Sequence, residues 1–147
     1  MLKKGILIFI TLLILSCNGN KSSLSKDDAE YLMEEYFEKT KLNDFNIISS
    51  YYSDLFYEST EKEKWEELYN KIHTILGLLI ETTLESWKVE SIVNTSGSGK
   101  YFTFVYNNNY ENGQVIETII LFLPKGEDEI KILKHNYNSN VFIGMNV

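Results

Sequence analysis

The sequence predicts an α+β fold in which helices come first and an antiparallel sheet follows. Three observations carry this. Apolar residues recur every three or four positions from Ala29 to Leu76, the period changes to alternation after Gly77, and turn signals divide the remainder into four strands. A chain that runs through its helices before its strands does not build a doubly wound parallel sheet.

The first helix is predicted to start at Ser25, where Ser25 and Asp28 fit a capping box with Asp in the usual Glu position. Ala29, Leu32, Met33, Tyr36 and Phe37 follow at helical spacing and carry it to about Lys41. Phe45, Ile48, Tyr52 and Leu55 predict a second helix within residues 43–57, started by Asn43 or Asp44. For the third, Thr60 and Glu63 suggest another capping box, Trp65, Leu68, Ile72, Ile75 and Leu76 form the apolar stripe, and Gly77 occupies the place of a C-terminal cap.

Trp87, Val89, Ser91 and Val93 alternate with Lys88, Glu90 and Ile92 as a half-buried strand does, and residues 95–99 read as a turn. Residues 100–110 form a second strand with Phe102, Phe104 and Tyr106 on one face. Asn112-Gly113 is a hairpin signal, residues 115–123 give a third strand, Pro124-Lys125-Gly126 ends it, and residues 129–137 supply a fourth. The first helix is expected to cover one face of this curved sheet, with Trp87, Phe102, Phe104, Tyr106 and Phe122 turned towards it. The tail, residues 138–147, either extends the last strand or lies on the surface.

Residues 1–16 read as a signal peptide: Lys3 and Lys4 are followed by an apolar run from Ile6 to Leu15, broken only by Thr11, and by the small Ser16. That run is shorter than the ~20 residues a membrane-spanning helix needs. Ile14-Leu15-Ser16-Cys17 resembles the lipobox of bacterial lipoproteins. The resemblance implies cleavage before Cys17, a diacylglycerol on its thiol and a further acyl chain, such as palmitate, on its new amino group. With each buried methylene worth about 0.8 kcal/mol, two or three chains anchor the protein to a membrane. Residues 17–25 then form a small polar tether, and residues 26–147 a single domain. Asn18 is not the aspartate associated with inner-membrane retention, so the expected place is the outer membrane, facing the periplasm, in a Gram-negative cell.

Cys17 is the only cysteine, so no disulfide is available. Loss of Lys3 and Lys4 with the leader leaves twelve lysines against 21 acids, a formal charge of −9. The chain has no arginine, the usual bidentate reader of phosphate and guanine, and with this charge nucleic acid is not an expected partner. Two histidines far apart and no tight acid cluster leave no expected transition-metal site, and no glycine-rich loop opens a helix as a phosphate cradle. Glu127-Asp128-Glu129 lacks the alternating ligands of a calcium loop and reads as a solvated charge run. No cofactor is expected.

Three segments, Trp65-x-x-Leu68-x-x-x-Ile72-x-x-x-Leu76-Gly77, Gly99-x-Tyr101-x-x-x-Val105-Tyr106 and Glu117-Thr118-Ile119-Ile120-Leu121, taken with the order of elements, resemble exported bacterial members of the cystatin-like, nuclear transport factor 2-like superfamily. That resemblance implies a cone-shaped roll. In the enzymes of this superfamily, ketosteroid isomerase and scytalone dehydratase among them, an acid, a histidine or a tyrosine works inside the cone, where burial tunes its pKa.

The candidates for such work are His73, His135 and Glu117. His73 lies four residues from Tyr69, close enough to share a hydrogen bond, and its simpler reading is a helix-edge residue half in solvent. His135 shares the alternation of Leu133 and Tyr137 and points either into the concavity or outward. Glu117 interrupts an apolar strand, and its simpler reading is a solvent-face residue. Ten Tyr, eight Phe and two Trp suit a core, a pocket lining or a partner interface alike.

The expected function is a lipid-anchored, non-catalytic module of the cell envelope that binds a small apolar ligand or a protein partner. The alternative is a small isomerase, dehydratase or hydrolase using His73, His135 or Glu117. A third is a subunit that pairs through its sheet, with a second copy as partner.

Overall fold

The computed structural model describes residues 24–93 and 98–140. The leader, Cys17, the tether up to residue 23, residues 94–97 of the expected turn and residues 141–147 of the tail lie outside the described residues. Four helices, α1 (Lys26–Thr40), α2 (Phe45–Ile48), α3 (Asp54–Ser59) and α4 (Lys62–Leu76), precede four strands, β1 (Leu79–Ile92), β2 (Gly99–Tyr110), β3 (Gly113–Pro124) and β4 (Lys131–Asn138). The strands form one antiparallel sheet in chain order. The α+β architecture is as the sequence predicts.

The Ser25 capping box is present. The Ser25 hydroxyl accepts from the Asp28 N–H, and Asp28 accepts from the Ser25 N–H at 2.6 Å. α1 buries Ala29, Met33, Tyr36, Phe37 and Thr40, a stripe at the spacing of helical turns. Removing large apolar side chains such as Met33 and Phe37 from water contributes about 1.5–3 kcal/mol apiece, which fastens α1 to the sheet.

The expected second helix is divided. α2 ends at Ile48, a 3-10 turn covers Ser49–Tyr51, and Tyr52 is extended before α3 begins under its own cap, the Ser53 side chain. The break has a tertiary cause: Tyr52 makes a parallel bridge to Ile132 in β4, and Ser53 N–H donates to the Ile132 carbonyl at 2.9 Å. A local helix gives way to a sheet contact. The expected capping box at Thr60 and Glu63 is also absent. Thr60 is spent on ending α3, its N–H on the Phe56 carbonyl, and α4 starts after Glu61 with no side-chain cap.

Gly77 closes α4 at φ +76°, a left-handed value that favours glycine. The tip of the β2–β3 hairpin completes the end: Asn112 N–H and Nδ2 donate to the carbonyls of Leu76 and Ile75 at 2.9 and 2.8 Å. The two-residue Glu111-Asn112 loop therefore sets hairpin register and caps a helix at once.

Phe102, Phe104, Tyr106, Asn108 and Tyr110 of β2, and Val115, Glu117, Ile119, Leu121 and Leu123 of β3, are buried at alternate positions against the helices. Two aromatic residues expected on this face are elsewhere. Phe122 lies on the opposite face, stacked on Tyr101 at 4.6 Å between ring centroids, because alternation from buried Leu121 sends it outward. Trp87 shares a register pair with Phe104, but β1 is the edge strand and Trp87 remains 54% exposed.

Candidate functional site

The alternation that buries Val115, Ile119 and Leu121 carries Glu117 inward with them, so it is a core residue 1% exposed and not the solvent-face residue of its simpler reading. A buried carboxylate requires donors, and three converge on it. Asn108 Nδ2–H and Tyr110 O–H, in phase on β2, donate to Oε1 at 2.9 and 2.6 Å, and His135 Nε2 lies 2.8 Å from Oε2.

His135 reaches this position through a bulge. Ile120 faces Lys134 and Leu121 faces Ile132, leaving Leu133 as an extra residue in β4. The shift breaks the simple alternation of Leu133 with His135 and points the imidazole into the interior, where it stacks on Tyr137 at 4.3 Å.

Beyond His135 the network enters the helices. His135 Nδ1 lies 2.8 Å from the Tyr52 hydroxyl, which lies 3.0 Å from the Tyr36 hydroxyl of α1. Tyr52 reaches the ring because the bridge to Ile132 holds it extended. Thr40 Oγ1 donates to the Tyr36 carbonyl one turn on. One chain of polar groups thus links β3, β4, the α2–α3 junction and α1.

Charge assigns the protons. A carboxylate only accepts, so His135 donates its Nε2–H to Glu117, while its Nδ1 pairs with the Tyr52 hydroxyl. Burial raises the Glu117 carboxyl, but the hydrogen bond and charge of His135 and the hydrogen bonds from Tyr110 and Asn108 outweigh it and hold the group below its ordinary value. Burial, with the Glu117 charge nearby, pushes the hydroxyls of Tyr36, Tyr52 and Tyr110 well above their usual range, so all three stay neutral donors.

His73 is also buried, not half in solvent at a helix edge. It forms no hydrogen bond with Tyr69; their rings pack at 4.1 Å, tilted by 38°, and its edge meets Tyr110 at 5.7 Å. Neither His73 Nε2 nor the Tyr69 hydroxyl has a hydrogen-bond partner among the described residues. Burial lowers its pKa to about 4 against the opposing pull of Glu117, which leaves the imidazole neutral.

The fold therefore gathers the three sequence candidates, which span residues 73 to 135, into one interior region. It adds Tyr36, Tyr52, Asn108 and Tyr110, which the sequence reading passed over. Asn108 and Tyr110 were accessible through their phase with Phe104 and Tyr106; no local pattern marks Tyr36 or Tyr52 as polar partners.

A groove of about 520 Å³ near residues 49–57 and the β3–β4 connection is lined by Tyr52, Asp54, Glu129 and Lys131 among others, but not by Glu117, His135 or His73. No group of three His, Cys, Asp or Glu among the described residues is placed to hold a metal ion, and no helix among them is long and apolar enough to cross a membrane. Compared with protein-family profiles, curated proteins and solved structures, the chain matches none.

Proposed function

We propose that this chain is a lipid-anchored module of a bacterial envelope, held by acyl chains on Cys17, whose folded domain binds a partner and does no chemistry. The observation that supports the non-catalytic reading is the engagement of Glu117. Its two oxygens are taken up by three donors of the chain itself, behind a side chain 1% exposed. A general base must present an oxygen to its substrate, and this one presents its oxygens to the core. The order of helices and strands is in keeping with the cone-shaped roll that the sequence resembles, here with aromatic side chains filling the interior.

The partner surface in this reading is the sheet face opposite the helices, where partly exposed Tyr101, Val105 and Ile120 lie beside the buried Phe122 ring. Partners are a second copy or another envelope protein.

The anchor is tested by intact mass of the chain extracted from membranes. Loss of 16 residues with a diacylglycerol added is expected, and Cys17→Ser should abolish both changes. An unprocessed mass would remove the lipoprotein reading.

A second reading has one observation in its favour: His135 links a buried carboxylate to a tyrosine hydroxyl, and His73 lies near the same carboxylate. Such a relay suits an isomerase, dehydratase or hydrolase if the interior opens. Turnover lost on Glu117→Gln, with folding retained, would replace the first reading by this one.

A further inference from the structure

We propose that the domain lies against the membrane that holds Cys17, through an apolar strip at the far end of β1 formed by Trp87, Val89, Ile92 and Val93. The proposal rests on the lipid anchor proposed above and adds an orientation to it. These four side chains are 37–80% exposed, Val93 the most and Val89 the least, at the end of an edge strand, Ile92 on the opposite face from Trp87 and Val89.

What selects a lipid surface is where the tether enters. Leu24 follows Cys17 by seven residues, which can span at most about 24 Å. The Leu24 carbonyl accepts from Lys100 Nζ at 3.1 Å, and Lys100 pairs in register with Ser91 of β1. Two residues on, Lys26 Nζ lies 5.2 Å from the centre of the Trp87 ring. The chain therefore leaves its anchor and enters the fold beside the strip, within reach of the bilayer surface.

The composition of this end suits an interface. An indole prefers the boundary between headgroups and acyl chains. Ile92 and Val93 continue into a cleft of about 250 Å³ with Leu123 and Pro124, rimmed by Lys100 and Lys125. The acids Glu127, Asp128 and Glu129 stand close by on the β3–β4 connection and oppose attraction to anionic lipid. Apolar contact and the tether, not charge, carry the docking, and zwitterionic lipid suffices.

The test uses the purified full-length lipoprotein in vesicles of phosphatidylcholine and phosphatidylethanolamine, with and without brominated acyl chains. Trp65 is buried in the core and Trp87 is exposed, so the difference between the native protein and Trp87→Phe reports Trp87 alone. We expect Trp87 emission to shift to the blue and bromolipid to quench it by at least half, unchanged by added salt. A protein that floats with the vesicles while Trp87 emits as in water overturns the docking and leaves the anchor standing. Failure to float overturns both. A blue shift without quenching, in a protein that sediments as a dimer after detergent extraction, assigns the strip to a second copy and overturns the lipid proposal.

Discussion

His135 and Glu117 meet diagonally across two strands. In register His135 faces Ile119 and Glu117 faces Tyr137, yet His135 Nε2 lies 2.8 Å from Glu117 Oε2. The pair joins alternate rungs of the sheet, and the bulge at Leu133 is what turns the imidazole towards the carboxylate.

Glu117→Ala removes the acceptor of three buried donors, the His135 Nε2–H among them. We expect a loss of about 3–5 kcal/mol in urea unfolding. Glu117→Gln keeps one carbonyl oxygen for Tyr110 and Asn108 and should lose less. Equal losses in the two variants would mean that the retained carbonyl contributes nothing and that loss of the charge accounts for the effect.

Acid should weaken the fold in two stages. His73 has its pKa lowered to about 4 by burial, so between pH 6.5 and 4 the unfolded chain takes up a proton that the folded chain refuses. Stability then falls as pH falls, by on the order of 3 kcal/mol at most. Glu117, also lowered, contributes stability that is present above the unfolded carboxyl value and is lost as pH drops through its folded value. The thermal midpoint of His73→Phe should vary less between pH 6.5 and 4. A slope matching that of the native chain would exclude His73 as its source.

The Tyr36 and Tyr52 hydroxyls, 3.0 Å apart and buried, should be coupled. A double-mutant cycle of Tyr36→Phe and Tyr52→Phe is expected to give about 0.5–1.5 kcal/mol of interaction energy. A value near zero would mean that each hydroxyl acts only on its other neighbour.

Two glycines should resist substitution for different reasons. Gly77→Ala meets both a left-handed φ and the Glu111 side chain, for about 1 kcal/mol or more. In Gly99→Ala the new methyl group would press on the Leu123 carbonyl and the Phe122 ring, so β2 must move away from β3. We expect the larger loss at Gly99, read from the urea midpoint, because backbone gives way less readily than a flexible side chain.

Much of this was available along the chain. α1 and its Ser25 cap, α4 with its Gly77 end, the Asn112-Gly113 hairpin and the inward faces of β2 and β3 follow from periodicity and turn chemistry, which act over a few residues. The same alternation already aligned Glu117 with Val115 and Ile119, although a lone acid in a strand is ordinarily solvent-facing.

What periodicity could not supply is whatever a distant strand decides. Tyr52 is extended because Ile132, eighty residues away, offers a bridge that outweighs another helical turn. His135 turns inward because a bulge breaks the alternation shared with Leu133, and Trp87 stays in solvent because β1 is the sheet's edge. Local sequence determined the elements, since backbone and near-neighbour energies specify them. Only the tertiary structure decided which polar groups meet, because a buried carboxylate is tolerated where separate strands and helices bring donors to it.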